Sequence, residues 1–296
     1  MQRALITGIE GFTGRYLATE LGTAGFDVSG TEMHLRKATL PNIYQCDLCD
    51  SSATKSVLAA IKPDVVVHLA GVAFVGHGDV DAIYRTNVVG TRNLLEAIAA
   101  SGHVPRIVLL ASSSNIYGNA TSGIIDESSP PAPANDYAVS KLAMEYMAKI
   151  WADRLPITFV RPFNYTGVGQ STQFLLPKIV DHFKRRAPVI ELGNLDVIRD
   201  FSDVRMVVQC YRRLIEAAIR DEAFNICSGI GYSLQEIISM MRKISGHDLD
   251  VVVNPAFVRA NEIHTLVGSR AKLAVAIGKI ESVPLQETLR WMLEAD

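Results

Sequence analysis

From its first residues the chain alternates short apolar runs with longer stretches in which apolar residues return every three or four positions. The runs near 2–7, 26–31, 42–46, 64–70, 105–111 and 156–161 predict strands, and their lack of polar alternation predicts cover on both faces. Between them, a helical period predicts helices over about 12–25, 51–61, 80–101 and 136–154. Strand and helix in regular alternation are the rhythm of a parallel sheet with crossover helices. Six such strands in the first 163 residues match the count of a doubly wound sheet.

Beyond Asn164 the rhythm breaks. Amphipathic segments near 173–186, 203–219, 233–245 and 284–294 mix with the turn signals "GNLD", "SGIGYS" and "NPAF". These predict a smaller substrate-binding lobe over 164–296, with parts of 195–228 and 262–270 rejoining the first domain, 1–163. The proline-rich stretch "ESSPPAPAND" leads into the helix that carries "YAVSK", with Asn135 or Asp136 as its cap.

Composition narrows the function class. With 296 residues, 48% hydrophobic and 20% charged, the chain can bury a large core, as a globular enzyme does. A formal net charge of −2 with no block of like charge gives no electrostatic reason to expect nucleic acid or an anionic membrane, so a small ligand is expected. The start "MQRALITGIEG" lacks the features of a signal peptide, and no apolar run approaches the ~18–20 residues that span a bilayer, so a cytoplasmic location is expected. Cys46 and Cys49 have the spacing of a metal or redox pair, but no second pair accompanies them, and ordinary thiols with no bound metal are expected.

The stretch "ITGIEGFTG" places Gly8, Gly11 and Gly14 between the first strand and the first helix. Glycines there let backbone amides approach a pyrophosphate, whose charge the helix N-terminus favours. Glu32 ends the next strand 18 residues past Gly14, near the spacing at which an acid contacts a ribose 2′-hydroxyl. Together these predict a Rossmann dinucleotide site in which Gly8, Gly11, Phe12, Thr13 and Gly14 form the cradle and Glu32, Asp47 and Leu48 the adenosine end. Glu32 argues for NAD(H), while Arg36 and Lys37 close behind it keep NADP(H) open.

Tyr137 and Lys141 stand four apart on a predicted helix, one above the other on one face. An ammonium beside a phenol is expected to lower its pKa, letting the tyrosine exchange a proton near neutrality. Three serines, Ser112, Ser113 and Ser114, close the strand that ends in "RIVLL".

With these motifs in place, the sequence resembles the extended short-chain dehydrogenase/reductases, the nucleotide-sugar epimerase and dehydratase family. "TGIEGFTG", "VVVHLAG", "NVVGTRNLLEA", "SSSNIYG", "YAVSK", "RPFN" and "RDFSDV" fall in that family's order across essentially the whole chain. The resemblance implies that Ser113, four residues before Tyr117, is the catalytic hydroxyl beside Tyr137 and Lys141, with Ser112 and Ser114 in cofactor or backbone contacts. It implies that Asn87 helps order the site, against a helix-cap amide as the plain reading, and that Leu69, Ala70, Arg161 and Pro162 line the cofactor. It also implies a homodimer through a bundle of the 80–101 and 136–154 helices.

Family members that remove water from the sugar carry acids just after the catalytic hydroxyl; here Ser114 and Asn115 stand there, and neither can serve as a carboxylate base. The expected reaction is therefore reduction of a C4 ketone on a nucleotide sugar, with 4-epimerisation as the alternative. The C-terminal stretches "GNLDVIRDFSDVR", "FNICSG" and "VRANEIHTLVG" resemble the GDP-sugar branch, most closely its reductases that form GDP-rhamnose, and a 6-deoxytalose product, GDP- or dTDP-linked, stays open. By that resemblance Ser114 touches the substrate and Asn164 the sugar or its diphosphate, Arg199 pairs with the diphosphate with Lys178 assisting, and Arg259 with Glu262 holds the nucleoside. Ala260, Ser269 and "GKIES" depart from the branch's pattern.

Overall fold

The structure is a computed structural model that describes residues 1–35, 42–72, 79–118, 123–257 and 264–295. Arg36, Lys37, His77, Arg259, Ala260 and Glu262 lie outside the described residues. The first part runs β1 (Arg3–Thr7), α1 (Phe12–Thr23), β2 (Asp27–Glu32), β3 (Ile43–Gln45), α2 (Ser51–Ile61), β4 (Val65–His68), α3 (Val80–Tyr84), a π-helical segment Arg85–Gly90 and α4 (Thr91–Ala100). It continues with β5 (Ile107–Ala111), a 3-10 turn Ser114–Tyr117, β6 (Ile124–Ile125), α5 (Asp136–Lys149) and β7 (Ile157–Pro162). The remainder holds β8 (Asn164–Thr166), α6 (Leu175–Lys184), β9 (Val189–Leu192), β10 (Ile198–Asp203), α7 (Val204–Ala217), β11 (Glu222–Ile226) and β12 (Gly231–Ser233). It ends with α8 (Leu234–Ser245), β13 (Asp250–Val253), β14 (Thr265–Gly268), α9 (Ala271–Ile277) and α10 (Leu285–Glu294).

Seven strands form one parallel sheet in the order β11-β7-β5-β4-β1-β2-β3. The order reverses between β1 and β4, so the carboxyl ends of those strands open a crevice, the usual ligand site of such sheets. The strands read as unbroken apolar runs because each face has its own core. Ala4, Ile6, Val65, Val67, Ile107 and Leu109 pack under α1 and α7, while Leu5, Val66, Val108 and Leu110 pack under α2, α4 and α5. Burying one such Leu or Ile side chain contributes about 1.5–3 kcal/mol.

The C-terminal lobe packs α6, α8 and α10 around Ile179, Phe183, Ile237, Met241 and Leu289. Its sheet places β10 between antiparallel β12 and parallel β14, and β8 pairs with the other end of β10. Two of the predicted helices differ from expectation. The 80–101 segment is broken by the π-helical turn around Asn87, and the 136–154 helix ends at Lys149, where Ile150 caps it and a run of turns leads to β7. Such π-turns mark a local insertion into the helical hydrogen-bond ladder and recur at functional sites.

Candidate functional site

The glycine loop leaves β1 at Thr7 and enters α1 at Phe12. Gly8 has φ +70°, which L side chains rarely adopt, and a Cβ there would meet the Ala70 backbone at 3.0 Å. A Cβ at Gly14 would reach 2.4 Å from the Gly8 carbonyl oxygen and 2.5 Å from that of Ile9, so only glycine lets the helix start this close to the loop. The loop is pinned to β2 by Gly8 N–H donating to the Thr31 carbonyl at 2.9 Å and Glu10 N–H donating to Glu32 Oε1 at 2.7 Å. Gly11 at the cap brings no side-chain acceptor to the first amides of α1. Beside the loop, Thr13 Oγ1 lies 2.7 Å from the Tyr165 hydroxyl, and the Phe12 and Tyr165 rings stack at 6.0 Å.

Just past β3, where the adenosine end is expected, Asp47 Oδ1 accepts from Cys49 N–H at 2.8 Å, and Leu48 is buried against the Gly90 turn. Across the crevice, Leu69 N–H donates to the Thr7 carbonyl and Ala70 N–H to Thr7 Oγ1, at 3.2 Å each. Pro162 ends β7 half-buried. Asn87 is no helix cap. From the π-turn its Oδ1 accepts from Val72 N–H at 2.9 Å, and its Nδ2 donates to Ser140 Oγ at 3.0 Å.

Asn135 caps α5, its Oδ1 accepting from Ala138 N–H at 2.9 Å, and Asp136 in the first turn suits the helix dipole. This start fixes Tyr137 and Lys141 on the buried face, 8% and 6% exposed. Ser113 caps the 3-10 turn by accepting from Asn115 N–H at 3.1 Å, and its hydroxyl stands close enough to Tyr137 to work against the rise of the phenol's pKa. Ser114 is buried in the first position of that turn. Lys141 Nζ donates to the Ala111 carbonyl at 2.9 Å. The three residues expected to work together thus converge where β5 ends.

The expected lowering of the Tyr137 pKa is corrected by the structure. Burial pushes the phenol up to about 12, the Ser113 hydroxyl works against that rise, and Tyr165 adds to it. Desolvation dominates because the phenolate is the form that burial penalises. Burial also pushes Lys141 down to about 8, against the pull of the Glu145 carboxylate. Arg161 has its guanidinium turned to Glu145 at 2.7 and 3.0 Å and to the Tyr117 hydroxyl at 2.9 Å, an ion pair under α5 in place of the expected lining role.

Two hydroxyls, Ser112 Oγ and Ser202 Oγ, are buried with no hydrogen-bond partner among the described residues, and Ser112 is the one that stands at the end of β5, beside the crevice. A buried unpaired hydroxyl costs about 1–3 kcal/mol, so its presence at a crevice points to a ligand that supplies the partner. With the glycine cradle, the bare cap of α1 and Glu32 at the end of β2, this donor set fits a dinucleotide.

In the lobe, Asn164 Nδ2 donates to the Asp200 carbonyl at 3.3 Å. Lys178 Nζ donates to the Glu191 carbonyl at 2.8 Å and lies 4.8 Å from the Phe257 ring centre. Arg199 reaches the carbonyls of Ile198 and His264, at 2.9 and 3.3 Å. Lys178 thus meets Phe257, and Arg199 meets His264. Sequence reading missed Tyr165, Ser140 and His68. The aromatic residue directly after Asn164 and the lone histidine closing "VVVH" were the signals that could have marked two of them.

Comparison with known proteins agrees with this geometry. Residues 4–227 match the model of the NAD dependent epimerase/dehydratase family. The chain is similar to the GDP-6-deoxy-D-talose 4-dehydrogenase of Aggregatibacter actinomycetemcomitans, 38% identical over 93% of this chain and 91% of that one. It is 32% identical to the GDP-6-deoxy-D-mannose reductase of Pseudomonas aeruginosa, over 99% and 96% of the two chains. A crystal structure from Burkholderia cenocepacia J2315, provisionally termed an epimerase, superposes with TM-score 0.94 at 53% identity and covers 99% of this chain and 97% of that one. The Pseudomonas aeruginosa RMD structure with NADPH gives TM-score 0.87 at 30% identity, covering 99% and 98%. The protein is an NAD(P)-dependent oxidoreductase, and the chain belongs to the NAD-dependent epimerase/dehydratase family.

Proposed function

We propose that the protein interconverts the C4 hydroxyl and ketone of a GDP-linked 6-deoxyhexose. The observation that carries this reading is the convergence of Ser113, Tyr137 and Lys141 at the end of β5, followed by Ser114 and Asn115 with no carboxylate after the hydroxyl. In the reducing direction Ser113 hydrogen-bonds the C4 carbonyl oxygen, and Tyr137 gives its phenolic proton to that oxygen as charge develops there. Lys141, oriented by Ala111, stabilises the phenolate that remains. When bound, the reduced dinucleotide supplies the hydride to C4. The cradle from Gly8 to Gly14, Glu32, Asp47, Leu48, Leu69, Ala70, Ser112 and Pro162 holds it, and Asn87 fixes the loop beside it.

Two relatives named for GDP-6-deoxyhexoses support the nucleotide and sugar, and Lys178 and Arg199 are assigned to the diphosphate. Of the two stereochemical outcomes the 6-deoxytalose type has the higher identity, 38% against 32% for the 6-deoxymannose (rhamnose) type. Incubation with GDP-4-keto-6-deoxymannose and reduced cofactor tests the reading. Stoichiometric loss of reduced nicotinamide is expected, with the C4 configuration of the product read by NMR. No loss of reduced nicotinamide with the keto sugar, together with interconversion of the two C4-epimeric GDP-6-deoxyhexoses without net cofactor consumption, would make the enzyme an epimerase instead.

The same chain is inferred to pair with a second copy. Val139, Tyr146 and Ile150 lie on one stripe along α5 and just past its end at 38%, 60% and 79% exposure, and Val80 and Val89 are each 45% exposed on the neighbouring helical segment. These apolar side chains fit a bundle of four helices across a twofold axis.

A further inference from the structure

Beneath the crevice runs a buried line of side-chain hydrogen bonds that the proposed chemistry does not use. His68, the last residue of β4, is 2% exposed. Its Nδ1 lies 2.7 Å from Thr7 Oγ1 and its Nε2 lies 2.8 Å from Thr91 Oγ1. The flanking groups decide where the protons sit. Thr91 spends its one proton on the Asn87 carbonyl at 2.7 Å, so it accepts from His68, and Nε2 carries the hydrogen. Thr7 Oγ1 accepts from Ala70 N–H at 3.2 Å and has its own proton left for Nδ1. Every donor then has an acceptor, and the ring is the neutral Nε2–H tautomer. Burial, aided by the Lys141 ammonium, pushes the ring's pKa down to about 3.

Both ends of the line reach the site. Thr7 directly precedes Gly8, whose missing Cβ lets the Ala70 backbone lie against the glycine loop. At the other end Asn87 holds Val72 N–H and donates to Ser140 Oγ, which donates to the Tyr137 carbonyl at 2.7 Å. The line therefore joins the loop that receives a pyrophosphate to the helix that carries Tyr137 and Lys141.

We propose that His68 is a positioning residue whose neutral Nε2–H imidazole fixes the cofactor loop relative to the Tyr137–Lys141 helix. It touches neither substrate nor cofactor and acts through Thr7 and Thr91. The proposal rests on the dinucleotide reading of the cradle.

Glutamine offers one acceptor and one donor on the same carbon, as imidazole does across its 1,3 nitrogens, whereas leucine offers neither. His68→Leu leaves two buried hydroxyls unpaired, and about 1–3 kcal/mol of mispairing corresponds to roughly ten-fold or more in cofactor KM, with kcat lowered as well. His68→Gln is expected to restore both constants to within about three-fold of wild type. Ring 15N NMR of the wild type is expected to show an unprotonated Nδ1 from about pH 6 to pH 8. Wild-type constants in folded His68→Leu, no rescue by His68→Gln, or a charged or Nδ1–H ring would each overturn the proposal. If the leucine variant fails to fold, the glutamine variant and the NMR spectrum still decide it. Failure of the wild type to bind NADH or NADPH in a fluorescence titration would instead sink the dinucleotide reading.

Discussion

Lys141 Nζ donates to the backbone carbonyl of Ala111 at 2.9 Å, which ties α5 to the strand end where the serines begin. Burial holds this ammonium at a pKa of about 8, against an ordinary 10.5. Between those values the unfolded chain binds a proton that the folded chain has released, so Lys141 makes stability rise with pH across that window. Urea midpoints of wild type minus Lys141→Met, measured at about pH 7 and pH 10, should therefore shift in favour of the wild type at the higher pH. Reduction should decline as pH rises through about 8, where the ammonium is lost. Lys141→Arg, whose charge persists, should be slower but lack that decline.

Tyr137→Phe removes the proton without emptying the site. kcat should fall by about 10²–10⁴. Cofactor affinity measured by fluorescence should stay close to wild type, since the ring is retained. Ser113→Ala should cost about 10²–10³ in kcat for loss of one carbonyl donor. A variant of Tyr137 that turns over like wild type would remove it from the reaction.

Glu32 Oε1 accepts from Glu10 N–H at 2.7 Å while standing at the end of β2, where a ribose 2′-hydroxyl would meet it. The carboxylate should favour NADH over NADPH. Glu32→Gln keeps an acceptor for Glu10 and loses the charge, so the ratio of kcat/KM for NADPH to NADH should rise by about ten-fold. Steady-state kinetics with both cofactors check this, and an unchanged ratio would assign discrimination to other residues.

Glu145 and Arg161 form a two-point pair under α5, with Glu145 only 2% exposed at its side chain. Glu145→Ala leaves the guanidinium buried without its partner and should cost about 3–5 kcal/mol in chemical denaturation.

Tyr146 and Ile150, exposed on one stripe, should govern self-association. The double variant Tyr146→Glu, Ile150→Glu places charge at the centre of the inferred interface and should run as a monomer in light scattering where the wild type runs as a dimer. A wild-type monomer would remove the dimer reading.

Much of the site was legible because it is written in short segments. The turn "ITGIEGFTG" sits between one strand and one helix, and four residues of helix place Lys141 above Tyr137. The roles of residues whose partners lie far along the chain were not legible. Arg161 reads as a cofactor-lining residue until α5 presents Glu145 to it. Asn87 reads as a residue that orders the site, but its partners, Val72 N–H and Ser140 Oγ, come from the π-turn and the packing of α5.

The sequence by itself determined the alternation of strand and helix, the glycine cradle and the Tyr137–Lys141 spacing, because each depends on periodicity or backbone freedom within a few residues. Tertiary structure alone decided which environment those groups meet. It placed β11 beside β7, bonded the Tyr117 hydroxyl to Asn225 across 108 residues, and set His68 between Thr7 and Thr91. It also reversed the expected shift of the Tyr137 phenol, because desolvation is a property of everything packed around a group and of no local segment.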